Sequence, residues 1–240
     1  MKYQQLVVNG CSYVEAYASG GGHLDLAQRL SIPTAHSLGI GGSTNSRIIR
    51  TTLKHSYQQT VPTLYVVGMT FLSRAELPIL EQPSTSFEGR WTNPQNQEFS
   101  DRWQVNWSAR DTDAFYEIKL KSEVFSIFDR LDDLQYRVLS MIADLQARGH
   151  GAVVYQQADD LHLPYIDDAN FDLLRSTPNI IGGYAWCAIP WQHAQGVPMM
   201  YHGMTNNKYG EASDAIRHRL PGAHQALNQL LQDHVQQHQL

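Results

Sequence analysis

The feature that most constrains this fold is a regular alternation of short apolar runs and amphipathic helical stretches. The runs 6–8, 64–67 and 152–155 are rich in Val and predict buried strands, and 32–38 predicts a further short strand. Apolar residues recur at helical spacing after each run, most clearly over 124–145 and from 221 onward. Between the first two strands, Gly20-Gly21-Gly22 predicts a flexible loop, and Leu24, Ala27 and Leu30 after it predict one face of a helix. The alternation predicts an α/β fold, a three-layer α/β/α sandwich with a mainly parallel sheet of about five strands.

The composition excludes several other classes of protein. The 240 residues are 42% hydrophobic and 17% charged, which is typical of a globular chain and not of a disordered one. A net charge of -5 argues against a surface that binds nucleic acid, and no apolar stretch is long enough to span a membrane. The first residues lack the apolar core of a signal peptide, so we expect a cytoplasmic protein.

The two cysteines give no sign of a disulfide framework or a zinc site. Cys11 and Cys187 are far apart, and no cysteine or histidine pair has the spacing of a zinc finger. We therefore expect no metal and no cofactor.

The segment at about 77–113 differs from its surroundings. It contains three of the five Trp residues, several Pro residues and no helical periodicity, with room for a hairpin. We interpret it as a Trp/Pro-rich insertion in a single domain covering 1–240, and long ordered loops of this kind are often lids or binding loops. Trp91 and Trp103 would then bind substrate, or alternatively form a small satellite core.

Glycine-rich turns with a hydroxyl or amide side chain follow three of the predicted strands. They lie at 10–12, 41–45 and 68–70, and the carboxyl ends of parallel strands share one edge of a sheet. Ser12 follows its strand directly, where a hydroxyl is exposed and a backbone N–H points at the ligand, as a nucleophile requires. The alternative is that Ser12 only caps the next helix.

A nucleophilic serine needs a base, and the region before the last helix offers two candidates. His218 lies in the preceding loop, and His224 lies in the first turns of the helix. The residues alone do not decide between them.

Four blocks together resemble the SGNH (GDSL-like) hydrolase superfamily, in particular its divergent phage and bacterial members with a G-C-S-[FY] first block. The blocks are Gly10-Cys11-Ser12-Tyr13, Gly39-Ile40-Gly41-Gly42-Ser43-Thr44-Asn45-Ser46-Arg47-Ile48, Thr70 followed by Arg74 and Glu76, and His218 followed by Pro221 and His224. The resemblance spans most of the chain and implies the SGNH/flavodoxin-like form of the α/β sandwich.

The resemblance also implies an oxyanion hole. Ser12 is the nucleophile in this reading and contributes its own N–H, and Gly42 contributes a second N–H. The family's third donor is an Asn side chain after the third strand, where this chain has Thr70, so that Thr70 or Asn45 takes its place.

The resemblance makes His218 the base. The family's acid lies three residues before the His, where this chain has Ala215, and Asp214 is one residue out of register. The expected machinery is therefore a Ser–His dyad, or a triad completed by Asp214.

The expected function is that of a serine esterase or O-deacetylase acting on a small acyl ester or an acetylated carbohydrate, with Arg74, Trp91 and Trp103 binding the substrate. Two alternatives stay open. One is a non-catalytic SGNH-like binding or structural module, related to phage proteins. The other is a nucleotide- or phosphate-binding protein, which the glycine turns would suit. The sequence leaves the oligomeric state open.

Overall fold

The protein is described by a computed structural model, which covers residues 2–41, 43–70, 75–78, 103–106, 127–156, 177–181 and 221–240. In chain order the elements are β1 (Gln5–Asn9), α1 (Ser12–Ser19), α2 (Gly22–Arg29), β2 (Thr34–Ser37), α3 (Asn45–Ser56), β3 (Thr63–Met69), β4 (Ala75–Pro78), β5 (Trp103–Asn106), α4 (Ile127–Ala147), β6 (Gly151–Gln156) and α5 (Pro221–His238).

The main sheet is parallel and has the strand order β2-β1-β3-β6. β1 is one of its two central strands, with Val8 in register with Ser37 on one side and with Val66 on the other. Beyond β6, Ile180 forms a single parallel bridge to Val154. The described sheet thus has four strands where about five were predicted, and its α/β class is confirmed.

Alternate residues of the central strands face two separate cores, which makes the fold a three-layer sandwich. Leu6 and Val8 pack on one side with α1, α2 and α5, and Val7 packs on the other with α3 and α4. Helix positions predicted to be apolar contacts are buried in these cores. They include Ile48, Ile49, Val138, Ile142, Leu145, Leu227, Leu231 and Val235.

The chain between β1 and β2 differs from the prediction of a glycine loop followed by one helix. Two helices occur there, and only Gly20 and Gly21 separate them. Gly21 has a φ of 79°, which permits the turn, and Gly22 already belongs to α2. A Cβ on Gly22 would stand 2.2 Å from the Tyr17 ring, so α1 and α2 meet at a position that only glycine can occupy.

Two smaller expectations were also wrong. β3 continues through Gly68 to Met69, because the parallel register with β6 extends to Gln156. Leu24, placed by periodicity on the buried face of α2, is 56% exposed.

A pair of antiparallel strands, β4 and β5, overlaps the predicted insertion at about 77–113. β4 and β5 pair antiparallel, with Ala75 opposite Asn106 and Pro78 opposite Trp103. Trp91 and most of 77–113 lie outside the described residues. Over the helices that the structure describes, none combines the length and apolar character needed to cross a membrane.

Candidate active site

The candidate site lies where the sheet changes its winding direction. The chain passes from β1 to β2 on one side and then returns past β1 to β3 on the other. In sheets of this order the loops after β1 and β3 diverge and leave a crevice that takes ligands. Ser12 follows β1 and Thr70 follows β3, so the structure brings these two predicted residues to the crevice.

Ser12 is the first residue of α1 and is half-buried. Cys11 holds the N-cap position in an extended conformation, and no side chain makes a capping hydrogen bond there. Ser12 therefore lies one residue past the N-cap position, and its role as a nucleophile stays a prediction. The first N–H groups of a helix point out of its end, toward which the helix dipole attracts negative charge, and Ser12 supplies one of them.

Asn9, the last residue of β1, stabilises the turn that leads to Ser12. This side chain is fully buried, and its Oδ1 accepts a hydrogen bond from the Gly10 N–H at 2.9 Å. Its Nδ2 lies 2.9 Å from Thr51 Oγ1 and 2.8 Å from Thr52 Oγ1, both on α3. The end of β1 is thereby tied to the opposite helical layer, and Ser12 starts from a fixed backbone.

The glycine loop after β2 runs along the first turns of α1. A Cβ on Gly39 would stand 2.7 Å from Val14 Cγ1, so a larger residue would push the loop away. The Gly41 N–H donates to Glu15 Oε2 at 2.8 Å, and a Cβ on Gly41 would stand 3.7 Å from the Cβ of Ser12. The backbone of this loop therefore lies beside Ser12. Gly42 falls outside the described residues.

Asn45 and Thr70 bind each other through a pair of hydrogen bonds. Asn45 Nδ2 donates to the Thr70 carbonyl at 3.0 Å, and the Thr70 N–H donates to Asn45 Oδ1 at 2.7 Å. Both residues are buried. The start of α3 and the end of β3 are thus joined, and two proposed oxyanion donors occupy one place in the crevice.

The start of α3 is itself well ordered by local contacts. Thr44 caps the helix by accepting from the Arg47 N–H at 3.1 Å. The buried Arg47 side chain donates to Ser43 Oγ at 2.8 Å, and Ser43 in turn donates to the Ile40 carbonyl at 2.7 Å. These contacts link the helix end to the glycine loop.

His224, the second base candidate, lies far from Ser12. Its ring meets the Tyr17 ring edge to face, with 5.4 Å between centroids, and lies 3.4 Å from where a Cβ on Gly20 would stand. Gly20 follows the last residue of α1 and Ser12 is its first, and eight helical residues rise about 12 Å. His224 packs at the wrong end of α1 to act on Ser12.

Tyr155 is the titratable group in the core next to the Ser12 turn. It is buried in β6, and burial raises its pKa, with the neighbouring Cys11 adding to the effect. It stays a neutral phenol at any physiological pH and contributes no charge to the site. Among the described residues, no three His, Cys, Asp or Glu side chains come together as a metal site.

Several predicted site residues lie outside the described residues. These are His218, Asp214, Gly42, Arg74 and Trp91, and for Trp103 only the backbone within β5 is described. Glu15 was missed by the sequence analysis. Its position three residues after Ser12 was the available signal, because this spacing puts both side chains on one face of a helix.

Comparison with known proteins gives one distant similarity. No protein-family model and no curated protein matches the chain. A crystal structure from Bacteroides fragilis, named as a "putative acylhydrolase", aligns with a TM-score of 0.41 and 16% sequence identity, over 98% of this chain and 87% of that one. A similarity at this level does not transfer function or residue roles.

Proposed function

We propose that this protein is a serine hydrolase of the esterase or O-deacetylase type that acts on a small acyl ester. The observation that carries the proposal is the position of Ser12, which starts α1 at the crevice between β1 and β3 with the Gly41 backbone beside it. The sequence blocks that resemble SGNH hydrolases support the same assignment. No cofactor takes part in this reaction.

In the proposed mechanism, Ser12 Oγ attacks the acyl carbonyl while His218 accepts its proton. The N–H groups of Ser12 and Gly42, with Thr70 or Asn45, stabilise the oxyanion of the tetrahedral intermediate. His218 then gives the proton to the departing alkoxide, and the acyl group stays on Ser12. Water, deprotonated by His218, then attacks the acyl carbon and the bond to Ser12 Oγ breaks. His218 returns the proton to Ser12 Oγ, and the acyl group leaves as the carboxylic acid.

The direction of α5 supports His218 over His224 as the base. Near the end of α5, the Gln239 carbonyl accepts a hydrogen bond from Lys2 Nζ at 2.9 Å, so this end lies at the amino-terminal edge of the sheet. The 18 residues of α5 rise about 27 Å away from that edge. Pro221 therefore starts the helix on the side where the strands end, and His218 is three residues before it.

Asp214 and the insertion complete the proposed site. Asp214 orients His218 if the machinery is a triad, and a dyad operates without it. Arg74 directly precedes β4 and follows the end of β3 by five residues. The crevice lies at that end of β3. We propose that Arg74, Trp91 and Trp103 bind the alcohol part of the ester, a role that suits an acetylated carbohydrate because Trp rings stack on sugars.

A non-catalytic binding module is the second candidate. It is favoured by Ala215, which stands where the family has its acid, and by Thr70, which stands in place of an Asn. Loss of a triad acid costs as much as ~10⁴ in kcat. A chain that lacks both features could keep the fold and the crevice without turnover.

Hydrolysis of p-nitrophenyl acetate by the wild type and four variants separates these candidates. We expect Ser12→Ala and His218→Ala each to lower kcat by at least ~10². The matched controls are Ser19→Ala, on the exposed end of the same helix, and His224→Phe, and both should keep near wild-type kcat. Equal rates in all five proteins would overturn the hydrolase proposal and favour the binding module.

A further inference from the structure

We propose that Glu15 is a positioning residue that holds the glycine loop after β2 against α1, beside the nucleophile Ser12. This inference rests on the proposed function. Glu15 lies three residues after Ser12 on α1, and its carboxylate accepts the Gly41 N–H at 2.8 Å. The contact joins the helix of the nucleophile to the loop of the proposed second donor.

The backbone of Glu15 is itself fixed by a hydrogen bond within α1. The Glu15 N–H donates to the Cys11 carbonyl at 3.0 Å, which is the first hydrogen bond of α1. The backbone of Glu15 is therefore held in the first turn of α1, the turn that begins at Ser12. A Cβ on Gly41 would stand 2.9 Å from Glu15 Oε2, so the loop approaches as closely as a glycine permits.

The rest of the loop is held by backbone contacts on either side of Gly41. The Ile40 N–H donates to the Gly10 carbonyl at 3.2 Å, and the Ser43 N–H donates to the Ile40 carbonyl at 3.2 Å. Within the described part of the loop, Glu15 is the side chain that fixes the Gly41 peptide. Removing its carboxylate leaves that peptide without its side-chain acceptor.

The contact also gives the N–H groups of Gly41 and Gly42 different roles in the proposed mechanism. Because the Gly41 N–H is directed to Glu15, it is not directed to the substrate. The next N–H along the chain belongs to Gly42, the donor assigned from the sequence. Glu15 thus acts on the oxyanion through the loop and does not touch the substrate.

Two substitutions at Glu15 distinguish positioning from acid–base chemistry. Glu15→Ala removes the acceptor, and we expect kcat for p-nitrophenyl acetate to fall 10- to 100-fold with KM changed less than ~3-fold, since a misplaced donor costs about 10². Glu15→Gln keeps an acceptor oxygen and should restore kcat to within ~3-fold of wild type. Asp133→Ala, an exposed acid on α4, is the matched control and should not change kcat.

Hydrogen exchange of the Gly41 amide, followed by NMR, tests the contact itself. We expect slow exchange in the wild type and in Glu15→Gln, and exchange at least 10-fold faster in Glu15→Ala. Thermal unfolding of each variant shows whether the fold is retained.

The outcomes separate this inference from the proposed function. If Ser12→Ala hydrolyses the ester as fast as the wild type, the hydrolase proposal fails and the role of Glu15 in turnover fails with it. If Ser12→Ala is inactive while Glu15→Ala matches the wild type, only the positioning role is overturned. Equal impairment of Glu15→Ala and Glu15→Gln would also overturn it, because the carboxylate charge would then be what matters.

Discussion

At the residue scale, the polar side chains around Ser12 bind backbone groups of neighbouring loops. Asn9 accepts from Gly10, Glu15 accepts from Gly41, and Asn45 binds both backbone groups of Thr70. Buried backbone groups in turns need such partners, because the turns have no ladder to supply them. The three side chains therefore fix the shape of the crevice.

The Asn45 contact gives the first prediction. Asn45→Ala leaves two buried backbone groups of Thr70 without their partner, and we expect the free energy of unfolding to fall by about 1–3 kcal/mol. Urea denaturation measures this as a lower midpoint at an unchanged m-value. Ser46→Ala, the next residue and a surface contact of Arg137, is the control and should change stability by less than ~0.5 kcal/mol. A midpoint equal to the wild type would show that the Asn45 contact is not formed.

At the element scale, a histidine cluster joins α3 to the amino-terminal ends of β3 and β6. His55 Nδ1 lies 2.9 Å from the Tyr65 hydroxyl, and the Tyr65 ring stands edge-on to the rings of His55 and His150 at 5.8 and 5.6 Å. Burial lowers the pKa of His55 to about 4, and the neighbouring His36 and His150 add to this. Burial also lowers the pKa of His150.

This cluster predicts lower stability in mild acid. The folded protein keeps His55 neutral down to about pH 4, whereas an unperturbed imidazole takes up its proton near pH 6.5. Between these values the unfolded chain binds more protons, so stability is full above pH 6.5 and falls as the pH drops toward 4. We expect His55 to account for a loss on the order of 2 kcal/mol.

Urea denaturation at pH 7.5 and pH 4.5 tests this effect. The difference in unfolding free energy between the two pH values should shrink in His55→Gln and persist in Gln58→Ala, an exposed control just after α3. The same pH dependence in His55→Gln as in the wild type would refute the assignment.

The sequence predicted those elements whose pattern is local. The Val-rich runs become the central strands because such residues are buried on both faces of a parallel sheet, and the position of Ser12 and Thr70 follows from the edge that parallel strands share. α1 was not predicted as a helix of its own, because its eight residues lie next to glycines that read as a loop. Glu15 was missed because its partner, Gly41, is 26 residues away. The spacing from Ser12 indicates a shared helix face but does not indicate a contact with distant backbone.

At the scale of the whole molecule, α5 closes the core on the face that carries α1 and α2. The Tyr17 hydroxyl donates to Asn228 Oδ1 at 2.5 Å, and Asn228 Nδ2 donates to Asp25 Oδ2 at 2.7 Å. Leu227 and Leu231 bury their side chains beneath these contacts. α1, α2 and α5 are therefore part of one core, and α5 stabilises the position of α1, which begins at Ser12.

A pair of leucine substitutions tests the role of α5. Leu231→Ala opens a cavity at a fully buried position, and we expect the free energy of unfolding to fall by about 2–5 kcal/mol. Leu24→Ala, at a position 56% exposed, should change it by less than ~0.5 kcal/mol. Thermal or urea unfolding of both variants gives the comparison, and similar values for the two would mean that α5 does not dock as described.

The central claim is that Ser12 is an activated nucleophile, and covalent labelling tests it most directly. The wild type, Ser12→Ala, His218→Ala and the control Ser19→Ala are treated with a p-nitrophenyl phosphonate, and the adduct is located by peptide mass spectrometry. The account predicts one adduct, on Ser12, that is absent in Ser12→Ala, strongly slowed in His218→Ala and unchanged in Ser19→Ala. A folded wild-type protein that gains no adduct, or gains it on another residue, would contradict the account.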